Sequence, residues 1–191
     1  AHFAKQNGLW SSDLQLIRSK VANVSGTGAM LNFDYAVSSR FQHHLRLDYF
    51  DEDVDINDLG FLQRNDFRGL QYIFRYALPN SDGFVRRTRG AISMERRENI
   101  SAGQLVDGGI YWRNTMELIG RNTLRTGLAW FPERFEDLDS RGNGSYKAED
   151  RVWWQTMLNT DSSKMFSWTF LVGGVQEDLG DWTQIYRVGV T

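Results

Sequence analysis

The chain has 191 residues, room for one domain or for a slice of a larger one. Its 22 Lys and Arg against 24 Asp and Glu leave a formal charge of −2, which excludes the basic excess that a nucleic-acid partner requires. The absence of Cys excludes a disulfide framework, a thiolate nucleophile and a Cys-ligated metal. What remains is rich in strand formers, with 12 Phe, 7 Trp and 7 Tyr against only 2 Pro. A mean hydropathy of −0.48 and the lack of a long apolar run exclude a transmembrane helix. They leave room for a transmembrane β-barrel, in which only alternate residues meet lipid. Residues 1–8 lack the basic start and apolar core of a signal peptide, so a mature or excised chain is expected.

Taken in chain order, a first strand is expected over 10–21. Period two is clearest over 29–37, where Ala29, Leu31, Phe33, Tyr35 and Val37 alternate with Met30, Asn32, Asp34 and Ala36. After Ser38, Ser39 and Arg40 it resumes, with Phe41, Leu45, Leu47 and Tyr49 opposed to Gln42, His44, Arg46 and Asp48, which reads as a tight hairpin. The same template fits Leu70, Tyr72, Phe74 and Tyr76 against Gln71, Ile73, Arg75 and Ala77, and Ile92 and Met94 against Ser93 and Glu95. Ile110, Trp112, Met116 and Leu118 oppose Tyr111, Arg113, Thr115 and Glu117, and Leu124, Leu128 and Trp130 oppose Arg125, Gly127 and Ala129. The last rows are Val152, Trp154, Thr156 and Leu158, then Phe166, Trp168, Phe170 and Val172, then Trp182, Tyr186, Val188 and Val190.

About ten such strands place over half of the chain in sheet, against about 20 to 25% in ordinary globular proteins. Strands of about 9 to 11 tilted residues are what a hydrocarbon layer demands. Connection lengths point the same way. Short turns at 38–40, 79–83, around Gly120 and at 161–163 alternate with longer connections at 51–66, 98–103, 132–147 and 176–181, the habit of outer-membrane barrels. The expected fold is therefore all-β, an antiparallel up-and-down transmembrane β-barrel, with 1–191 forming a single domain or a fragment of a larger barrel.

No catalytic constellation emerges. The run Asp51, Glu52, Asp53, Asp55, Asn57, Asp58 is rich in hard oxygen ligands, but from Asp53 the sixth position is Asp58 where an EF-hand needs Gly, and the twelfth is Arg64 where it needs Glu. An acidic, hydrated loop is expected there, with no metal. The run Glu133, Glu136, Asp137, Asp139, Arg141, Gly142, Asn143, Gly144 reads as a polar loop closed by a Gly-rich turn. His43 and His44 are adjacent, so in a strand they point to opposite faces and cannot share a metal. No HExxH or GxSxG motif is present, and Gly26, Thr27, Gly28 is too short for a phosphate loop. Trp10, Trp130, Trp182 and Tyr49 fall near predicted strand ends, where the aromatic girdles of a membrane barrel lie.

The run 57–66, Asn-Asp-Leu-Gly-Phe-Leu-Gln-Arg-Asn-Asp, resembles the hallmark of an uncharacterised bacterial family whose members place a family-9-like carbohydrate-binding module before a large domain of unknown function. The run 137–144 is similar to that family's acidic loop containing Ser-Arg-Gly, and strand spacing extends the likeness over most of the chain. The resemblance implies an outer-membrane β-barrel of Gram-negative bacteria and carries no established activity. Relative to the family, the chain is expected to lack the amino-terminal module and the early part of the large domain.

These readings lead to a non-enzymatic outer-membrane barrel, a channel or scaffold handling saccharides or other polar solutes, without cofactor. Its partners are the lipid bilayer and a protein of the outer membrane or cell surface. Asn32, Asp34, Arg46, Asp48, Gln71, Arg75, Arg113 and Glu117 are expected to face the lumen. Asn57, Asp58, Gly60, Phe61, Arg64 and Asp66 of one loop, with Asp137, Asp139, Arg141 and Gly142 of the other, form the loop motif. Arg64 or Arg141 is expected to bridge acids of the opposite loop so that the two make a cap. The alternative is a soluble β-sandwich or small barrel binding carbohydrate through exposed Trp; an enzyme ranks third.

Overall fold

The computed structural model describes residues 2–4, 8–55, 64–79, 83–136, 144–177 and 180–191. Among them there is no α-helix, and thirteen strands account for nearly all regular structure: β1 (His2–Ala4), β2 (Trp10–Val21), β3 (Val24–Ser38), β4 (Phe41–Phe50), β5 (Phe67–Leu78), β6 (Val85–Asn99), β7 (Leu105–Leu118), β8 (Thr123–Phe131), β9 (Arg134–Glu136), β10 (Tyr146–Ala148), β11 (Arg151–Asn159), β12 (Trp168–Gln176) and β13 (Trp182–Val190). Eleven join in one antiparallel sheet in the order β1-β2-β3-β4-β5-β6-β7-β8-β11-β12-β13, and β9 and β10 form a separate two-stranded hairpin. The meander follows from short connections, which let each strand pair with its chain neighbour before any other.

Three expectations are revised. The sheet has eleven strands rather than about ten, because the three-residue β1 pairs with Ser11–Asp13 of β2. The connection 132–147 is not all loop, since β9 and β10 pair inside it, Tyr146 opposite Glu136 and Ala148 opposite Arg134. The expected strand at Phe166 starts instead at Trp168. The sheet does not close on itself among the described residues, and β1 and β13 are its edges.

The alternation in connection length is also weaker than expected. All connections on one end of the sheet, here the loop end, include the long 51–66 and 132–150, but also a tight turn between Val21 and Val24 and the brief 177–181. At the opposite, turn end, 39–40 and 119–122 are tight, yet 160–167 exceeds 177–181.

The register sorts side chains by chemistry. One face carries Leu14, Leu16, Leu31, Phe33, Leu45, Leu47, Leu70, Tyr72, Ile92, Met94, Ile110 and Trp112 across β2 to β7, and continues through Leu128, Trp154, Val172 and Tyr186. The other carries the polar row. Nothing covers the apolar face among the described residues: Leu16 is 76% exposed, Tyr186 70% and Val188 69%. Among the described residues, buried apolar side chains form a cluster where a loop folds back, at Phe50, Val54 and Phe67 with Ile17 and Met30 against them.

Candidate functional site: the polar face and its loop cap

All eight residues expected to face a lumen lie on the polar face. Asn32 stands opposite Arg46, and Arg46 opposite Gln71. Asp34 faces His44, Asp48 faces Gly69, Arg75 faces Gln42, and Glu117 faces Arg87. One alternation per strand and an in-register meander are sufficient to place them together, since a strand's side chains point to opposite faces in turn.

Toward the loop end, charges of both signs are tied into a network. The Arg46 Nε donates to both Asp48 carboxylate oxygens, at 3.0 and 2.8 Å. Arg97 reaches Glu95 at 3.3 Å and Asp107 at 3.5 Å, and its guanidinium lies 5.4 Å from the centre of the Phe67 ring. Asp48 is 9% exposed, so its charge needs the adjacent guanidinium to offset lost hydration. Gly69, opposite Asp48, lies against the Asp48 side chain and the Phe67 ring, where an added Cβ would stand 3.7 Å from Asp48 Cβ and 3.8 Å from Phe67. The His44 Nδ1 donates to Asp34 at 2.9 Å, and Arg87 lies 3.7 Å from Glu117.

The acidic loop caps the polar face at its β2–β3 corner. Val54 is buried to 2% exposure beside Phe50 and Phe67. The approach depends on Gly26, where a Cβ would stand 2.1 Å from the Val54 amide nitrogen. Asp51 anchors the loop by accepting from the Thr27 amide and hydroxyl, each at 2.7 Å, and from the Asp53 amide at 3.2 Å. The Asp55 amide donates to Ser19 Oγ at 2.9 Å. Burial pushes the Asp51 carboxyl up, but the hydrogen bonds from Thr27, Asp53 and Val54 outweigh it, and the net displacement is below the usual Asp range. No three His, Asp or Glu side chains among the described residues are placed to hold a metal.

Of the loop motif, Asn57, Asp58, Gly60, Phe61, Asp137, Asp139, Arg141 and Gly142 lie outside the described residues, and with them the expected contact between the two loops. Arg64 and Asp66 are described. Asp66 adopts a left-handed backbone conformation, φ 55°, and its carboxylate accepts from the Ser101 amide at 3.1 Å and the Ser101 hydroxyl at 2.5 Å. It thus ties the start of β5 to the 100–104 connection. Lys147 of β10 pairs with Glu133 at 2.8 Å, and β9 lies against β7.

The two adjacent histidines point to opposite faces as expected. His43 lies on the apolar face, 2.7 Å from the Tyr72 hydroxyl, while His44 meets Asp34. The apolar face holds a second internally satisfied set: the Trp112 indole donates to the Tyr76 hydroxyl at 3.0 Å, and that hydroxyl donates to Asn114 Oδ1 at 2.9 Å. Gly90 makes room for it, since a Cβ there would stand 2.5 Å from the Tyr76 hydroxyl.

Arg89, Arg97 and Asp107 also belong to the polar face but carry no recognisable signal on their own. Beyond Ile92 and Met94, the apolar row of β6 is broken by Gly90, Arg96 and Glu98, so the alternation that would extend the strand to 85–99 is masked. The signal was in the partner strands, whose length β6 must match. A search of curated proteins and a search of solved structures each gave no match. A single antiparallel meander with segregated faces holds most of the described residues, and over residues 3–190 the sequence matches the family model described as Domain of unknown function (DUF5916), so the chain belongs to that family.

Proposed function

We propose that this chain is the wall of a non-enzymatic outer-membrane β-barrel, with its apolar face toward lipid and its polar face lining a path for polar solutes. One observation carries this reading: an eleven-stranded sheet, one layer thick, exposes a continuous apolar face on one side and a charged, hydrogen-bonded face on the other. In water, a sheet hides its apolar face beneath a second layer. The only second sheet among the described residues has two strands. Lipid is the solvent that accepts such a face without a cover, provided every backbone group is paired, so the edges β1 and β13 must pair with further strands or with each other.

Further support comes from length and from aromatics. β2 to β8 run from 9 to 15 residues, against the about 9 to 11 tilted residues that a crossing needs. Trp10, Tyr35 and Trp168 stand on the apolar face at the turn end, and Tyr49, Trp130 and Trp182 at the loop end. Two aromatic levels match the two headgroup regions of a bilayer. At the loop end the apolar face gives way to Arg68, Arg96 and Glu98, which pair with one another, Arg68 at 2.7 Å from Glu98. Saccharides are the favoured solutes on the resemblance to proteins that carry a carbohydrate-binding module, an association rather than a site-based inference.

Vesicle flotation after refolding from detergent tests the membrane assignment, with heat-modifiable gel migration as a check of folding. The expected result is a folded protein that floats with the lipid and makes vesicles swell in maltose or another neutral oligosaccharide. A folded monomer soluble without detergent, the behaviour of a carbohydrate-binding sandwich, overturns it.

A further inference from the structure

The arginines of the polar face are not distributed evenly. At the loop end, Arg46 and Arg97 have carboxylates at hydrogen-bond or ion-pair distance. At the turn end, Arg75, Arg89, Arg113 and Arg125 have none: no ion pair joins any of the four to an acid among the described residues, and each is exposed.

Register shows how they are arranged. On one cross-strand row, Arg75 of β5 and Arg113 of β7 flank Ala91 of β6. On the next row toward the turn end, Arg89 of β6 and Arg125 of β8 flank Thr115 of β7. Strands about 4.8 Å apart put the members of each pair about 10 Å from one another at the backbone, with a small residue between them. Long guanidinium arms can close over that gap from both sides. Beside them is a depression of about 420 Å³ lined by Arg40, Arg75, Arg89 and Arg113 and by no carboxylate, with Arg125 on the row next to it. The nearest acid along these strands, Glu117, is already engaged with Arg87.

Like charges on neighbouring strands oppose folding unless something offsets them. Among the described residues no carboxylate does so, whereas at the other end of the same face Arg46 and Arg97 are each offset. Planar guanidinium forks suit tetrahedral oxyanions, which accept two parallel N–H bonds from each. We propose that Arg75, Arg89, Arg113 and Arg125 form a binding site for a phosphorylated or sulfated solute on the polar face near its turn end. The site rests on the reading of that face as a solute path, and it assigns the class of solute.

The test is calorimetric titration of the full-length folded protein in detergent, at low ionic strength, with inorganic phosphate, sulfate, glucose 6-phosphate and glucose. Phosphate, sulfate and glucose 6-phosphate are expected to bind and glucose is not; binding of glucose 6-phosphate above inorganic phosphate identifies a sugar-bearing solute. The double variant Arg75→Gln, Arg113→Gln is expected to weaken oxyanion binding by about tenfold or more, the loss of two charge-assisted contacts. Arg18→Gln, on the opposite face at the loop end, removes one charge without touching the site and is expected to leave binding unchanged. Equal affinity in the double variant and the parent, or an equal loss in Arg18→Gln, overturns the site. A protein that floats with vesicles yet binds no oxyanion disproves the site and leaves the barrel standing, while oxyanion binding by a protein that does not float disproves the barrel alone.

Discussion

Asn114 is a polar residue on an apolar face, buried to 5% exposure, and its neighbours explain how it is tolerated. The Tyr76 hydroxyl donates to it and in turn accepts from Trp112, so a three-residue relay satisfies groups that would otherwise sit unpaired beside hydrocarbon. Asn114→Ala leaves the Tyr76 hydroxyl without its acceptor and is expected to lower stability by about 1 to 3 kcal/mol in a urea titration of the refolded protein. In Asn114→Ala combined with Tyr76→Phe, the second change should cost far less than it does alone; strictly additive costs would mean the relay has no energetic content. Asp51 offers a pH test at the same scale. Its carboxyl lies below the usual Asp range in the folded protein, so its contribution is fully present above the unfolded value of about 3.9 and is lost as pH falls through the lowered folded value. Hydrogen-exchange protection of the Thr27 amide, which donates to Asp51, should hold from neutral pH to about pH 4 and decline below it. Asp51→Asn should abolish that pH dependence, and an unchanged profile in the variant would count against the anchoring role.

At the scale of the strand, the partition of faces makes adjacent residues unequal. Phe33 stands on the apolar face opposite Ser12 and Leu45, and Asn32 on the polar face opposite Asp13 and Arg46. If the apolar face meets lipid, Phe33→Arg should cost about 2 to 4 kcal/mol of folding free energy in a refolding titration, and Asn32→Arg much less. Equal costs would show that the two faces see the same solvent. The same partition was readable in β3, β4, β5 and β7 from alternation alone, because each strand there has apolar residues at nearly every second position. In β6 it was readable only over 92–95, because Gly90 accommodates Tyr76 and Arg96 pairs with Glu98 where the apolar row would continue. Both departures answer to residues on neighbouring strands, which a one-dimensional pattern does not contain.

For the whole molecule, the antiparallel order puts 55 and 145 at the loop end and 39 and 162 at the turn end. In an outer-membrane barrel the loop end is extracellular. If the chain is the wall of such a barrel, single Cys substitutions at Asp55 and Ser145 should react with an impermeant maleimide on intact cells, and those at Ser39 and Ser162 should not until the outer membrane is opened. The reverse pattern would invert the assigned orientation, and labelling of all four on intact cells would remove the wall from the membrane.

The order of the ten long strands, most of their facing rows and the eight polar-face residues were determined by the sequence itself, because period two and short connections leave a meander as the simplest pairing. Only the tertiary structure decided the rest. The 51–55 segment folds onto the polar face because Gly26, remote in sequence, lacks the side chain that would block Val54. The arginines Arg75, Arg89, Arg113 and Arg125 become a cluster only through the register of four strands, and Asp66 meets Ser101 across two connections. Alternation is a local property that each strand states for itself, whereas these contacts depend on which residue of one strand stands beside which residue of the next.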